Sequence, residues 1–272
     1  MEDSKAIEWE VVRYNGKDAS VIQEEVAEEF ALTIMLNGTE FATIVCSPFD
    51  TRKLVVGFLA SEGVILFYDE IKKISIDEKL GFAYVEVAKD IDQLQTDHSK
   101  RLIGSCCGKS RQFYFKTDAK TAKTVMSSFQ VSVEQCFRSM EQLHEHSGEF
   151  KRTGGVHNAA LADSDQLLSV HTDIGRHNAL DKLYGHTLVN KMPVRDKMIV
   201  FSGRISSEVL LKVSKIGIGV LISKAAPTDL ALKLAEELGI TAIGFARGTK
   251  MNIYTHPHRV KEATFDSNKH LM

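Results

Sequence analysis

The sequence predicts an α/β protein, α+β overall, in which a strand-rich N-terminal part precedes a second domain of alternating strands and helices. Three observations carry this. β-prone runs separated by turn residues fill the first half, strand and helix patterns alternate from residue 156 onward, and 43% hydrophobic with 26% charged residues is the usage of a globular chain. A length of 272 residues accommodates two modest domains. The divisions fall at 1–115, a strand-rich domain with a mobile cysteine loop at 96–111; 116–150, a helical connector; and 151–272, the alternating domain.

The elements follow in order. Ala31 to Leu36 and Glu40 to Cys46 flank Asn37-Gly38, the pattern of a β-hairpin, which Ser47-Pro48 ends. Asp50 stands where it could cap a helix through Ala60, since Leu54, Val55, Phe58 and Leu59 recur at helical spacing and Gly63 is the expected stop. Val64 to Phe67, Ile71 to Ile76 and Phe82 to Val87 read as short strands. From Thr96 to Arg111 the periodicity fails, which predicts a long exposed loop. Ser132 with Gln135 is a capping box for a helix with Val133, Phe137, Met140 and Leu143 on one face, ending near Gly148.

In the second half, Val156 to Leu161 and Leu167 to Thr172 are expected strands and Arg176 to Val189 a helix. Met198 to Phe201, Gly219 to Ser223 and Thr241 to Phe245 are further strands, separated by helices over Ser206 to Ile216 and Thr228 to Leu238, with Ile253 to Thr255 at an edge. Such alternation predicts a parallel or mixed sheet with helices on both faces.

Composition excludes several classes. With 34 basic against 36 acidic residues there is no global field for nucleic acid or an anionic membrane. No apolar run approaches the roughly 20 residues of a membrane span, and the start is too acidic for a signal peptide, so a cytoplasmic protein is expected.

Ligands of open α/β sheets bind outside the carboxyl ends of strands, where loops lead into helix N-termini. Applied here, the rule selects Ser202-Gly203-Arg204 after one strand, Arg176 and His177 after another, Lys224 after a third, and Phe245-Ala246-Arg247-Gly248-Thr249-Lys250 at a fourth. Arg176, Arg204, Lys224, Arg247 and Lys250 together suit a diphosphate or larger polyanion, although each alone could be a solvated loop cation. His157, after Gly154-Gly155, is either a ligand donor or general base, or a hydrogen-bonded structural histidine. Neither a P-loop nor a G-x-G-x-x-G fingerprint occurs.

The four cysteines are too few for a disulfide scaffold. Cys106 and Cys107 are adjacent, a spacing that suits neither zinc nor an unstrained disulfide, so no structural metal is expected. With Arg101, Lys109 and Arg111 close in sequence and Gly104, Ser105 and Gly108 around them, they read as reactive thiols that could carry sulfur as a persulfide. Cys46 and Cys136 lie in apolar patterns and are expected in or near the core. His144 and His146 face different sides of their helix and read as solvated surface.

Ser105-Cys106-Cys107-Gly108-Lys109, Thr153-Gly154-Gly155-Val156-His157, Asp173 through Lys182, Ser202-Gly203-Arg204 and Phe245-Ala246-Arg247-Gly248 together resemble the FdhD (NarQ) family of accessory sulfurtransferases for formate dehydrogenase. The resemblance runs from about Met35 to Arg259. It implies a second domain similar to the three-layer α/β/α fold of cytidine deaminases, without their zinc motif. It also implies that sulfur from a cysteine desulfurase is taken up as a cysteine persulfide and delivered to the molybdenum bis(molybdopterin guanine dinucleotide) cofactor for formate dehydrogenase. The basic strand ends would then hold guanine nucleotide, with GDP as a partial mimic, and the protein would be a cytoplasmic homodimer. Many members carry Cys-x-x-Cys in the loop. Here Cys107 matches the second cysteine and Gly104 stands at the first, leaving Cys106 to take over the missing role. Two rivals differ in class: a chaperone that only shields the dinucleotide cofactor, and a nucleotide deaminase, which the missing zinc set disfavours.

Overall fold

The computed structural model describes residues 7–88, 101–103 and 122–263. An N-terminal antiparallel hairpin, β1 (Ile7–Tyr14) and β2 (Ala19–Val26), is a sheet of its own, in a stretch where no element was expected from sequence. β3 (Phe30–Leu36) and β4 (Thr39–Cys46) form the expected hairpin. Its turn has Asn37 at φ 47° and Gly38 at φ 84°, the consecutive positive values that an Asn-Gly hairpin turn requires. β5 (Ile71–Asp77), β6 (Phe82–Val87) and β7 (Arg101–Ile103) complete a five-stranded sheet in the order β5-β6-β3-β4-β7.

Two expectations in this half are corrected. Val64 to Phe67 is not a strand: the Glu70 carboxylate accepts hydrogen bonds from the amides of Leu66 (2.7 Å) and Phe67 (2.8 Å), which bends the chain into a 3-10 turn over Tyr68–Glu70. The span 96–111 is not loop throughout either, because Arg101–Ile103 pairs in parallel with Ala42 to Ile44 along the open edge of β4. The rest of that span, with Cys106 and Cys107, lies outside the described residues.

Helix α1 (Thr51–Ser61) covers the inner face of this sheet, on which Leu32, Ile34, Ile44 and Val85 are buried. Asp50 takes the N-cap position at φ 55° without capping the helix through its side chain. Its carboxylate instead meets His171 (3.2 Å) and Lys53 (2.6 Å).

The second half begins with α2 (Val133–Glu145), whose capping box is present: Ser132 Oγ accepts from the Gln135 amide and Gln135 Oε1 from the Ser132 amide. Gly148 does not end this helix but starts a short one, α3 (Gly148–Thr153). Then follow β8 (His157–Ala162), β9 (Leu167–Asp173), α4 (Arg176–Val189), β10 (Met198–Phe201), α5 (Ser207–Ile216), β11 (Val220–Ser223), α6 (Asp229–Leu238), β12 (Thr241–Arg247) and β13 (Lys250–Ile253). The edge strand thus precedes Thr255 instead of including it. The Thr255 hydroxyl accepts from the Ala242 amide (2.9 Å) and donates to the Ile240 carbonyl (2.7 Å), so a side chain replaces the ladder there.

The six strands run in the order β13-β12-β11-β10-β8-β9, with β10, β11 and β12 parallel and the flanking strands antiparallel. Alternate side chains serve opposite faces. Ile199, Phe201 and Leu221 join Leu180, Val213 and Ala235 of α4, α5 and α6; Val200, Ile222 and Ile243 join Cys136 and Leu143 of α2. The sheet is the middle of three layers.

Where α1 crosses α4, the backbones touch. A methyl group on Gly57 would overlap the Asp181 carbonyl oxygen, and one on Gly185 would overlap the Lys53 carbonyl oxygen. These two glycines let the apolar core of the five-stranded sheet continue into that of the six-stranded sheet.

Candidate functional site

β8 and β9 run antiparallel, with His157 opposite Asp173, and β8 is antiparallel to β10, with Ala159 opposite Phe201. The start of β8 and the ends of β9, β10, β11 and β12 therefore share one edge of the sheet. The loops along it are stitched together by short bonds. Ser202 Oγ accepts from the Asn158 amide (2.8 Å), Ser223 Oγ donates to the Gly203 carbonyl (2.7 Å), and the Ile205 amide donates to the Ala226 carbonyl (3.1 Å). Gly203 is needed for closeness, since a methyl there would come within 3.2 Å of the Arg176 Cβ and nearer still to the Phe201 ring.

The cations predicted from sequence gather on this edge. Arg247 Nε donates to the Lys224 carbonyl (2.9 Å), and the Lys224 ammonium lies 4.4 Å from the centroid of the Phe150 ring. Partial burial, then the Arg247 charge, lowers the Lys224 pKa. His157 is lowered by burial and by Arg176 and Lys224, with Asp173 opposing. The ring thus lies within reach of the charges of Arg176, Lys224 and Asp173. Burial, Lys212, Arg176 and His157 push His177 down to about 3. Arg204, Arg247, Gly248, Thr249 and Lys250 are exposed, Lys250 lying opposite Arg247 where β13 begins, while Ala246 points inward. Phe245 is 43% exposed and holds a left-handed backbone at φ 53°, its amide bonded to the Ala225 carbonyl. A bulky residue in that conformation is strained, and such strain clusters at functional sites.

The groups that hold this edge in place belong to the Asp173 to Lys182 motif, in which neither Asp173 nor Lys182 has a role expected from sequence. Asp173 and Lys182 are fully buried and paired at 2.7 Å. Asp173 also accepts from the amides of Ser47 (3.1 Å) and Gly175 (2.8 Å) and from Asn178 Nδ2 (2.9 Å). Lys182 donates to the Thr172 carbonyl and sits 4.2 Å from the centroid of the Phe49 ring. The end of β4 is thereby tied to the end of β9. The available signal was the spacing of Asp173, Asn178 and Lys182 around a predicted helix start. Asp181, on the same helix, binds Lys212 and Ser61.

Cys46 and Cys136 are buried as expected, and burial pushes both thiols up to about 12. His144 and His146 are exposed. Among the described residues no group of three metal-binding side chains occurs, and no helix is long and apolar enough to cross a membrane.

This α+β fold has a known counterpart, and the sequence has known relatives. The model of the FdhD/NarQ family matches residues 27–261, and the chain belongs to that family. It is 56% identical over 262 residues to the sulfur carrier protein FdhD of Bacillus subtilis, covering 96% of this chain and 100% of the relative. To the protein of the same name from Halalkalibacterium halodurans it is 60% identical over 240 residues, 88% of this chain and 89% of the other. A crystal structure assigned as a formate dehydrogenase accessory protein from Desulfotalea psychrophila superposes with a TM-score of 0.78 at 24% identity, over 94% of this chain and 99% of that one. That likeness concerns the fold.

Proposed function

We propose that this chain is a sulfur carrier that takes sulfur from a cysteine desulfurase as a persulfide on Cys107, assisted by Cys106, and passes it to a molybdenum bis(molybdopterin guanine dinucleotide) substrate for formate dehydrogenase. In the loading step the Cys107 thiolate attacks the outer sulfur of the donor persulfide. The donor S–S bond breaks, the donor leaves as a thiolate, and a new S–S bond forms on Cys107 with no net oxidation. The sulfur-carrier names of relatives at 56% and 60% identity support the role, and the cationic edge suits the guanine nucleotide diphosphates of the substrate.

One observation carries the reading. β7, which leads to the cysteines, runs parallel to β4, and the residue that follows β4, Ser47, is bonded to Asp173 at the cationic edge. Cys106 and Cys107 follow Ile103 by three and four residues, a tether of at most about 10 and 14 Å. A thiol on that tether starts from the strand end that abuts the nucleotide edge.

Intact mass after incubation with a desulfurase and cysteine tests the proposal. A gain of one sulfur, reversed by reductant, is expected for the unaltered chain and for Cys106→Ser at reduced yield, and none for Cys107→Ser. Full labelling in the double variant overturns the mechanism.

A further inference from the structure

The edge that gathers Arg176, Arg204, Lys224 and Arg247 also contains a carboxylate. Glu208 lies in the first turn of α5, directly after the Ser202 to Ser206 loop, and its side chain is 32% exposed. An acid in a first turn is favoured by the helix dipole, which accounts for its presence in the helix and not for what it faces. Its Oε2 is 3.2 Å from His177 Nε2, yet that nitrogen has no hydrogen-bond partner, so the contact lacks the alignment of a bond. No other group among the described residues is bonded to this carboxylate. Lys212, one turn further along α5, is committed to Asp181. His177 is held neutral by burial and by Lys212, Arg176 and His157, so it does not cancel the charge.

A polyanion gains nothing from a carboxylate on the edge that binds it. The carboxylate becomes useful if the ligand brings hydrogen-bond donors as well as phosphate. A planar ring with an N–H beside an amino group offers two donors side by side, the arrangement that both oxygens of one carboxylate accept. Adenine presents a ring acceptor at the matching position and would be repelled.

We propose that Glu208 reads the N–H and amino donors of a 2-amino-4-oxopyrimidine ring, the edge shared by guanine and pterin, and so selects which ring the cationic edge accepts. The proposal rests on the nucleotide reading above and adds to it a residue that sets specificity.

Calorimetric titration of the full chain with GDP, IDP, ADP, pyrophosphate and neopterin tests it, with Glu208→Gln as the variant. IDP lacks only the amino group. The unaltered protein is expected to bind GDP about tenfold more tightly than IDP, the effect of one lost charged hydrogen bond, and ADP more weakly still. Glu208→Gln should bring the GDP to IDP ratio below about twofold, with pyrophosphate bound as before or more tightly. Neopterin that displaces GDP only when Glu208 is intact assigns the pterin as the ring read; loss of GDP preference without neopterin binding assigns the guanine. Equal GDP and IDP affinity in the unaltered chain, or a ratio preserved in Glu208→Gln, overturns the proposal while pyrophosphate binding sustains the nucleotide site. Failure to bind pyrophosphate and every nucleotide overturns both. If Glu208→Gln does not fold, Glu208→Asp keeps the charge but shortens its reach and should lower the ratio; a ratio unchanged in that variant is the contradicting result.

Discussion

The crossing of α1 over α4 and the cationic strand-end edge share the stretch from Asp173 to Lys182, yet they use it in opposite ways. At the crossing and beneath the edge, polar groups are buried and matched: Asp173 has Lys182, Asn178 and two amides, and Asp181 has Lys212 and Ser61. At the edge cations outnumber the one carboxylate of Glu208, Arg204, Arg247 and Lys250 are exposed, and Phe245 holds a strained backbone. The first arrangement minimises energy without a ligand; the second leaves like charges together, which a polyanion would relieve.

The largest effects should therefore come from the crossing. Gly57→Ala or Gly185→Ala places a methyl group on a backbone oxygen that no rotamer change can move, so a loss of about 3 kcal/mol or more, or failure to fold, is expected in urea unfolding. Lys182→Met strands the Asp173 carboxylate in the interior and should cost about 3 to 5 kcal/mol. Adding Asp173→Asn to it should recover part of that loss in the same assay, and no recovery would mean that the ion pair is not what holds the edge.

Acid should weaken the fold by a route that involves both regions. His157, His171, His177 and His186 all have pKa values below the ordinary 6.5, burial being the main cause, with His177 at about 3 and His186 at about 4. Each binds fewer protons folded than unfolded, so the stability it contributes is complete above pH 6.5 and is lost as pH falls toward the folded value. The loss is at most about 1.4 kcal/mol per pH unit for each histidine. Urea midpoints between pH 7.5 and pH 4.5 should decline, and a flat profile would show that these rings are solvated.

The legibility of the two regions in sequence differs for physical reasons. Strand and helix periodicity placed α4 and β10 at their observed limits, and the Asn-Gly turn and the Ser132–Gln135 box announced themselves through local chemistry. The edge was readable because strand ends and helix starts can be located without knowing the partner strands. What escaped depends on distant contacts. Glu70 turning Leu66 and Phe67 away from a strand is an exception only in range; the ties from Ser47 to Asp173, the glycine crossing and the β4–β7 pairing join residues far apart in sequence. The β1–β2 hairpin was missed because its carboxylates and exposed apolar residues show no burial pattern to read.

The smallest structural cost should accompany the largest loss of binding. Arg247 and Arg204 are exposed, so Arg247→Ala and Arg204→Ala should leave unfolding midpoints within about 0.5 kcal/mol of the unaltered chain. Titration of GDP into these variants and the unaltered protein, at low and high salt, tests the cationic edge most directly. Binding should weaken with salt and fall by about 1 to 3 kcal/mol for each substitution, with stability unchanged. GDP affinity unaltered in both variants would contradict that site.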